Sequence, residues 1–253
     1  MITVISSTKS INLEKNLLID KSTMPQFEHE AGYLASILKN YTVEDVERLM
    51  KISKKLAEVN YNRYQKFNEK DLERGQALFA FSGDVYKSMN PFQYTEEQIE
   101  FAQERVRILS GLFGVLKPLD LIKEYRLEMA TKIKGSEVTD LYSFWSDKIT
   151  ESLIKEVEDF NEKAILNLAS LEYSKVINRG KLGNIRIYDV EFKENRDGEY
   201  KIIGTYAKKA RGEMVTYVVS NNIESIDNIK RFSEGGYKYS DELSSETIIV
   251  FTR

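Results

Sequence analysis

The segment Tyr206-Ala207-Lys208-Lys209-Ala210-Arg211-Gly212 sets three cations within four residues. Inward positions Ala210, Met214 and Val218 predict a helix over 207–221, so the cations fall at its start. That end of a helix is positive, and a cation there costs a few tenths of a kcal/mol, up to about 1. Free amides and cations together suit an anion. Lys208 and Arg211 are three residues apart and share a face. Phosphate is the natural ligand of such a group. The plain alternative is an exposed, screened helix start.

A second segment, Arg107 to Asp120, carries Ser110-Gly111-Leu112-Phe113-Gly114 followed by Lys117-Pro118. It reads either as a hairpin between two helices, with glycine amides free to meet a nucleic-acid backbone, or as a buried strand. Arg126 follows in Tyr125-Arg126-Leu127-Glu128-Met129. Three further places end a short apolar run in polar residues: Ser6-Ser7-Thr8-Lys9, Ser82-Gly83-Asp84, and Asn167 through Ser170 to Glu172-Tyr173. Ligands of α/β proteins collect beyond the carboxyl ends of strands, so the three can line one pocket. There Asp84, Glu172 and Tyr173 would do acid–base work on a small phosphorylated or nucleotide-like substrate held by the cations. Ser170 and Asp84 also make sense as helix caps. No P-loop, dinucleotide fingerprint, nucleophile elbow or carboxylate metal motif is present.

Two scarcities bound the chemistry. The chain has no cysteine and a single histidine, His29. Thiolate catalysis, disulfides, iron–sulfur clusters and two-histidine metal sites are excluded. His29 reads as a solvated helical residue, and no metal or cofactor is expected.

The elements that must position these residues are mixed. Met24-Pro25 predicts a helix start, with Phe27, Ala31, Leu34 and Leu38 inward. Thr42 and Thr95 read as N-caps, the second in a capping box with Gln98. Ser53 starts another helix with Ala57, Asn60 and Tyr64 on one side. Thr139 precedes the longest helix, striped by Leu141, Trp145, Ile149, Leu153, Val157 and Phe160. Trp145 is therefore expected in the core. Buried strands are expected at 2–5, 78–81 and 164–168, a hairpin at 185–205 turning on Asn195–Gly198, and a last strand at 247–251. The expectation is one mixed α/β (α+β) domain over 1–253.

With 253 residues, 30% charged and 42% hydrophobic, the composition is that of a globular domain. No apolar run nears the roughly 20 residues that cross a bilayer, and no signal peptide is read at the start. A cytoplasmic location is the default expectation. The net charge of −3 hides a basic stretch at 174–211 (ten basic, five acidic) and another at 105–134 (seven and three). Side by side they would form a positive cleft on an acidic body.

These motifs together resemble the bacterial YaaA peroxide-stress protein family over nearly the whole chain. The matching runs are Gly83-Asp84-Val85-Tyr86, Leu109 to Asp120, Tyr125 to Met129, Leu141-Tyr142-Ser143-Phe144-Trp145, Asn167 to Ser170 with Glu172-Tyr173, and Ala207 to Gly212. One departure is Ser6-Ser7-Thr8-Lys9-Ser10, where the family usually has a proline after the first serine. The resemblance implies a cytoplasmic protein of oxidative stress, outside the common superfolds, with a positive cleft and a helix-hairpin-helix-like element. It also implies binding to double-stranded DNA and restraint of DNA damage and free iron. On that reading Lys208, Lys209 and Arg211 contact phosphates, aided by Lys9, Arg107, Lys117 and Arg126. Gly111 and Gly114 allow close backbone approach, and Leu109–Asp120 is the hairpin.

Overall fold

The structure is a computed structural model that describes residues 1–13, 19–133 and 138–253. Lys134, which bounds one of the basic stretches, lies outside the described residues. The chain runs β1 (Ile2–Ser6), α1 (Glu28–Lys39), α2 (Val43–Met50), α3 (Lys54–Lys66), β2 (Gly75–Gln76), α4 (Ala77–Ala80), α5 (Asp84–Met89) and α6 (Glu96–Arg105). It continues β3 (Val106–Ser110), β4 (Gly114–Leu116), β5 (Leu121–Ile122), α7 (Leu141–Val157), β6 (Ala164–Asn167) and α8 (Leu171–Ser174). The last part is β7 (Arg186–Arg196), β8 (Glu199–Lys201), α9 (Gly204–Ser220), α10 (Ile226–Ile229), β9 (Lys238–Tyr239) and β10 (Ile248–Thr252).

One mixed α/β domain results, built on a mostly parallel sheet in the order β4-β3-β1-β6-β7-β10-β9, with β8 on β7. β3, β1, β6, β7 and β10 are mutually parallel. Read in chain order these five stand second, first, third, fourth, fifth, as in many doubly wound sheets. β4 and β9 are antiparallel edges. β1 is central and its Ile2, Val4 and Ile5 are fully buried, as strands covered on both faces must be.

Local signals explain most elements. Thr42 and Thr95 form complete capping boxes with Asp45 and Gln98. Asp140, not Thr139, caps α7 by accepting the Ser143 N–H at 2.8 Å. The β7–β8 turn uses Asp197 and Gly198, both at positive φ (54° and 89°), the pattern of a tight primed hairpin turn. Trp145 is fully buried.

Two expected elements differ. Of residues 78–81, expected as a strand, 78–80 belong to a single helical turn, α4, and Phe81 alone is extended, in an isolated bridge with Ile11. The Ala77 and Leu78 N–H groups of α4 donate to the Asp120 and Pro118 carbonyls, so the loop after β4 takes the bonds a strand would have offered a neighbour. Leu109–Asp120 contains no helix hairpin. It is β3, a turn at Gly111–Phe113 and antiparallel β4, with Ser110 through Leu116 all buried.

Candidate functional site

The carboxyl ends of β1 and β6 lie next to each other, since Val4 pairs with Asn167. The loops that follow are tied by Ser6, whose Oγ accepts the Ser170 N–H at 2.9 Å and donates to Ser170 Oγ at 3.3 Å. Asn167 Oδ1 accepts the Ala169 N–H and holds the start of that turn. On the other side of β1, Ser7 donates its N–H to the Leu109 carbonyl of β3 at 2.8 Å. Thr8 then packs against Gly83: a Cβ there would sit 2.8 Å from Thr8 Cγ2. This brings Asp84, at the start of α5, beside the β1 loop. Tyr86 of α5 donates its hydroxyl to the Ser6 carbonyl at 3.2 Å. All three segments singled out for their polar endings therefore meet at one end of the sheet.

The 125–130 loop closes a further side. Tyr125 and Ser110 share a 2.7 Å hydroxyl contact, and Ser110 Oγ also accepts the Leu112 and Phe113 N–H groups. Lys9 pairs with Glu128 at 2.7 Å, and Arg126 reaches the same carboxylate at 3.8 Å. Glu172 accepts the Ala130 N–H at 3.2 Å, while Tyr142 donates to the Glu172 carbonyl at 2.8 Å. Burial pushes the Tyr173 phenol up to about 12, with the carboxylates Glu172 and Glu128 adding to the rise and a bond with Ser7 opposing it. Burial also raises Tyr125 and Tyr86. These phenols keep their protons near neutrality. Tyr173 thus lies at this end of the sheet with a phenol that burial keeps protonated.

The cations of α9 join this end through Asp84, which lies 3.9 Å from Lys208 Nζ. The cause is a close crossing of α5 and α9. A Cβ on Gly212 would fall 2.0 Å from Ser88 Oγ and 2.2 Å from the Val85 carbonyl, and Ser88 donates to the Lys209 carbonyl at 2.9 Å. α9 starts at Gly204, three residues before the expected start, so Lys208 lies beyond its first turn and owes little to the helix dipole. Lys209 pairs with Glu213 along the helix at 3.5 Å. Arg211 is mostly buried, its Nε has no hydrogen-bond partner, and burial lowers its pKa against the pull of Glu191.

Four of the expected contacts are enclosed or lie at the other end of the sheet. Arg107 is 3% exposed near the amino end of β3, bound to Glu156 and to the Gln103, Glu104 and Val106 carbonyls. A guanidinium this enclosed is a structural tie and not a phosphate contact. Lys117 lines a cavity of about 350 Å³ at that same end with Arg107, Asp120 and Glu156. Gly111 and Gly114 are buried: a Cβ on Gly111 would lie 2.3 Å from the Leu127 carbonyl, and one on Gly114 (φ 70°) 2.7 Å from the Trp145 ring. They make room for neighbours inside the protein and not for a nucleic-acid backbone. The two basic stretches are not side by side in the sheet either, because β1 and β6 separate β3 from β7. Ser110, Tyr125 and Glu128 were missed as members of the site. Glu128, two residues after Arg126, was the signal that could have been read.

Sequence comparison agrees with the motifs carried at this end of the sheet. The family model described as peroxide stress protein YaaA matches residues 1–243. A UPF0246 protein of Francisella philomiragia is 44% identical over 257 residues, covering all of both chains. One from Clostridium beijerinckii is 44% identical over 254 residues, covering all of this chain and 98% of its own. Another from Crocosphaera subtropica is 40% identical over the full length of both. The chain belongs to the YaaA family of peroxide stress proteins. Among the described residues no group of histidines, carboxylates or cysteines is arranged to hold a metal, and no helix is long and apolar enough to cross a membrane.

Proposed function

We propose that this chain acts in the cytoplasm during peroxide stress by binding double-stranded DNA through its phosphates, limiting oxidative DNA damage and free iron. The observation that supports this reading is the exposure of three lysines linked to one end of the sheet. Lys9, Lys208 and Lys209 keep 56%, 56% and 62% of their side chains exposed. Their carboxylate partners Glu128, Asp84 and Glu213 are 24%, 55% and 20% exposed, and a pair with at least one side chain in water is worth about 0–1 kcal/mol. A phosphate can displace the carboxylate at small cost. Lysines read no base edges, so the contact positions the protein without selecting sequence.

The test is a salt titration of duplex binding on two unrelated sequences. Each phosphate-contacting cation adds about 0.9 to the slope of log affinity against log salt. Lys208→Ala with Lys209→Ala is expected to lower the slope by about 1.8 and to weaken both duplexes alike. An unchanged slope would take these lysines off the DNA.

A further inference from the structure

We infer that β8 pairs edge to edge with β8 of a second copy of this chain, antiparallel, about a two-fold axis at Tyr200. Register leaves that edge open. Asp197 and Gly198 form a two-residue turn closed by Arg196 and Glu199, which face each other across the ladder. The pair closing such a turn exchanges hydrogen bonds, and pairs alternate beyond it, so Asn195 and Tyr200 exchange none. Asn195 donates its N–H away from β8, to the Arg253 carbonyl at 2.8 Å. The N–H and carbonyl of Tyr200 therefore point the opposite way, off β7. Among the described residues β8 pairs with β7 alone. Glu199, Tyr200 and Lys201 are all exposed, and so is Ile202.

The side chains say which strand such an edge fits. Charges on an exposed edge usually deter pairing. Here they alternate in sign. With Tyr200 opposite the partner's Tyr200, Glu199 faces the partner's Lys201, and Lys201 faces the partner's Glu199. Opposite charges on facing positions favour pairing, and like charges oppose it. Within one copy Glu199 and Lys201 pair with each other at 2.5 Å, in water, with 70% and 62% of their side chains exposed. The other face of the strand carries Tyr200 and Ile202, and Tyr206 of α9 is exposed close by in the chain. Three of the seven exposed large apolar residues thus fall within seven positions. Such residues scattered singly need no explanation, but a patch of them marks an interaction surface. A strand complementary to itself gives an isologous dimer that closes, and not a filament. Because α9 begins at Gly204, the pairing sets the starts of two α9 helices on either side of one axis.

Analytical ultracentrifugation of the full chain from micromolar to millimolar concentration tests this. The 29.3 kDa protein is expected to approach twice that mass as concentration rises. Glu199→Lys alone or Lys201→Glu alone sets like charges opposite each other twice, and each is expected to weaken the dimer about tenfold. Both changes are at the surface, so thermal melts of the dilute proteins should stay close to that of the wild type. The double variant, Glu199→Lys with Lys201→Glu, restores both pairs and is expected to dimerise like the wild type. An equimolar mixture of the two single variants is expected to dimerise as well, since an all-basic strand then meets an all-acidic one. A monomer at every concentration would overturn the inference. So would a dimer indifferent to the single changes, or one that neither the double variant nor the mixture restores.

Discussion

Asp140 sits at the start of α7 and accepts both the N–H and the hydroxyl of Ser143. Those bonds hold its carboxyl below the usual carboxylate range. A depressed pKa means stability that is present above the unfolded value and is lost as pH falls through the folded one. Asp140→Ala is expected to cost about 1 kcal/mol at neutral pH, the usual value of an N-cap. Denaturant melts across pH should show the two proteins converging in acid, below the ordinary carboxylate range. Trp145 is the other residue with a sharp expectation. Its ring fills the space left by Gly114, and its Nε1 donates to the Gly111 carbonyl at 2.9 Å. Trp145→Ala is expected to cost about 3–5 kcal/mol through the cavity it leaves. A melt near that of the wild type would show that the ring carries no such share of the core.

The α5–α9 crossing is the element on which the cations depend. Gly212 is small because Val85 and Ser88 occupy the position of its side chain. Gly212→Ala is expected to destabilise by about 1–3 kcal/mol, the range for overpacking, despite the better helix propensity of alanine. It should also shift α9, and with it Lys208 and Lys209, relative to the end of the sheet, so duplex affinity should fall with stability, whereas Lys208→Ala should lower affinity alone. Thermal melts set beside binding isotherms distinguish the two. This crossing also marks how far elements were legible. Thr42, Thr95 and Asp197-Gly198 carry their own start and turn chemistry, and the two helix starts and the hairpin turn are as expected, although the arm expected over 199–205 stops at Lys201 and residues 204–205 belong to α9. α9 has Ile203 at its N-cap with no side-chain bond, so no residue announced its start. Residues 78–81 are apolar throughout, and four buried residues have no period to read.

At the scale of the molecule, the convergence of three polar loops was visible because each follows a short buried run. Which loops are neighbours was not. Ser6 and Ser170 are 164 residues apart and meet only because β1 lies between β3 and β6. Arg107 was misplaced for the same reason: its partner Glu156 is 49 residues away on α7, and a cation inside an apolar run gives no local sign of being paired. The last strand raises a related point. β10 begins at Ile248, beyond the residues matched by the family model, yet it pairs in parallel with five residues of β7 and its Val250 and Phe251 are fully buried. Truncation after residue 243 is expected to uncover the β7 edge and yield aggregating protein without a cooperative melt. A soluble truncated chain with an unchanged melting temperature would show β10 to be dispensable.

The central position of β1 has a consequence for how the chain is made on the ribosome. Its hydrogen-bonding partners arrive late: Val106 opposite Thr3 emerges about 100 residues afterwards, and Ile165 opposite Ile2 about 160 afterwards. At about 5–20 residues per second, a nascent apolar strand waits roughly 5–30 s with both edges open. A holdase that covers the emerging β1 is therefore expected to raise the soluble yield, and slowing elongation between the codons of β1 and β3 to lower it, while the finished protein's stability stays untouched.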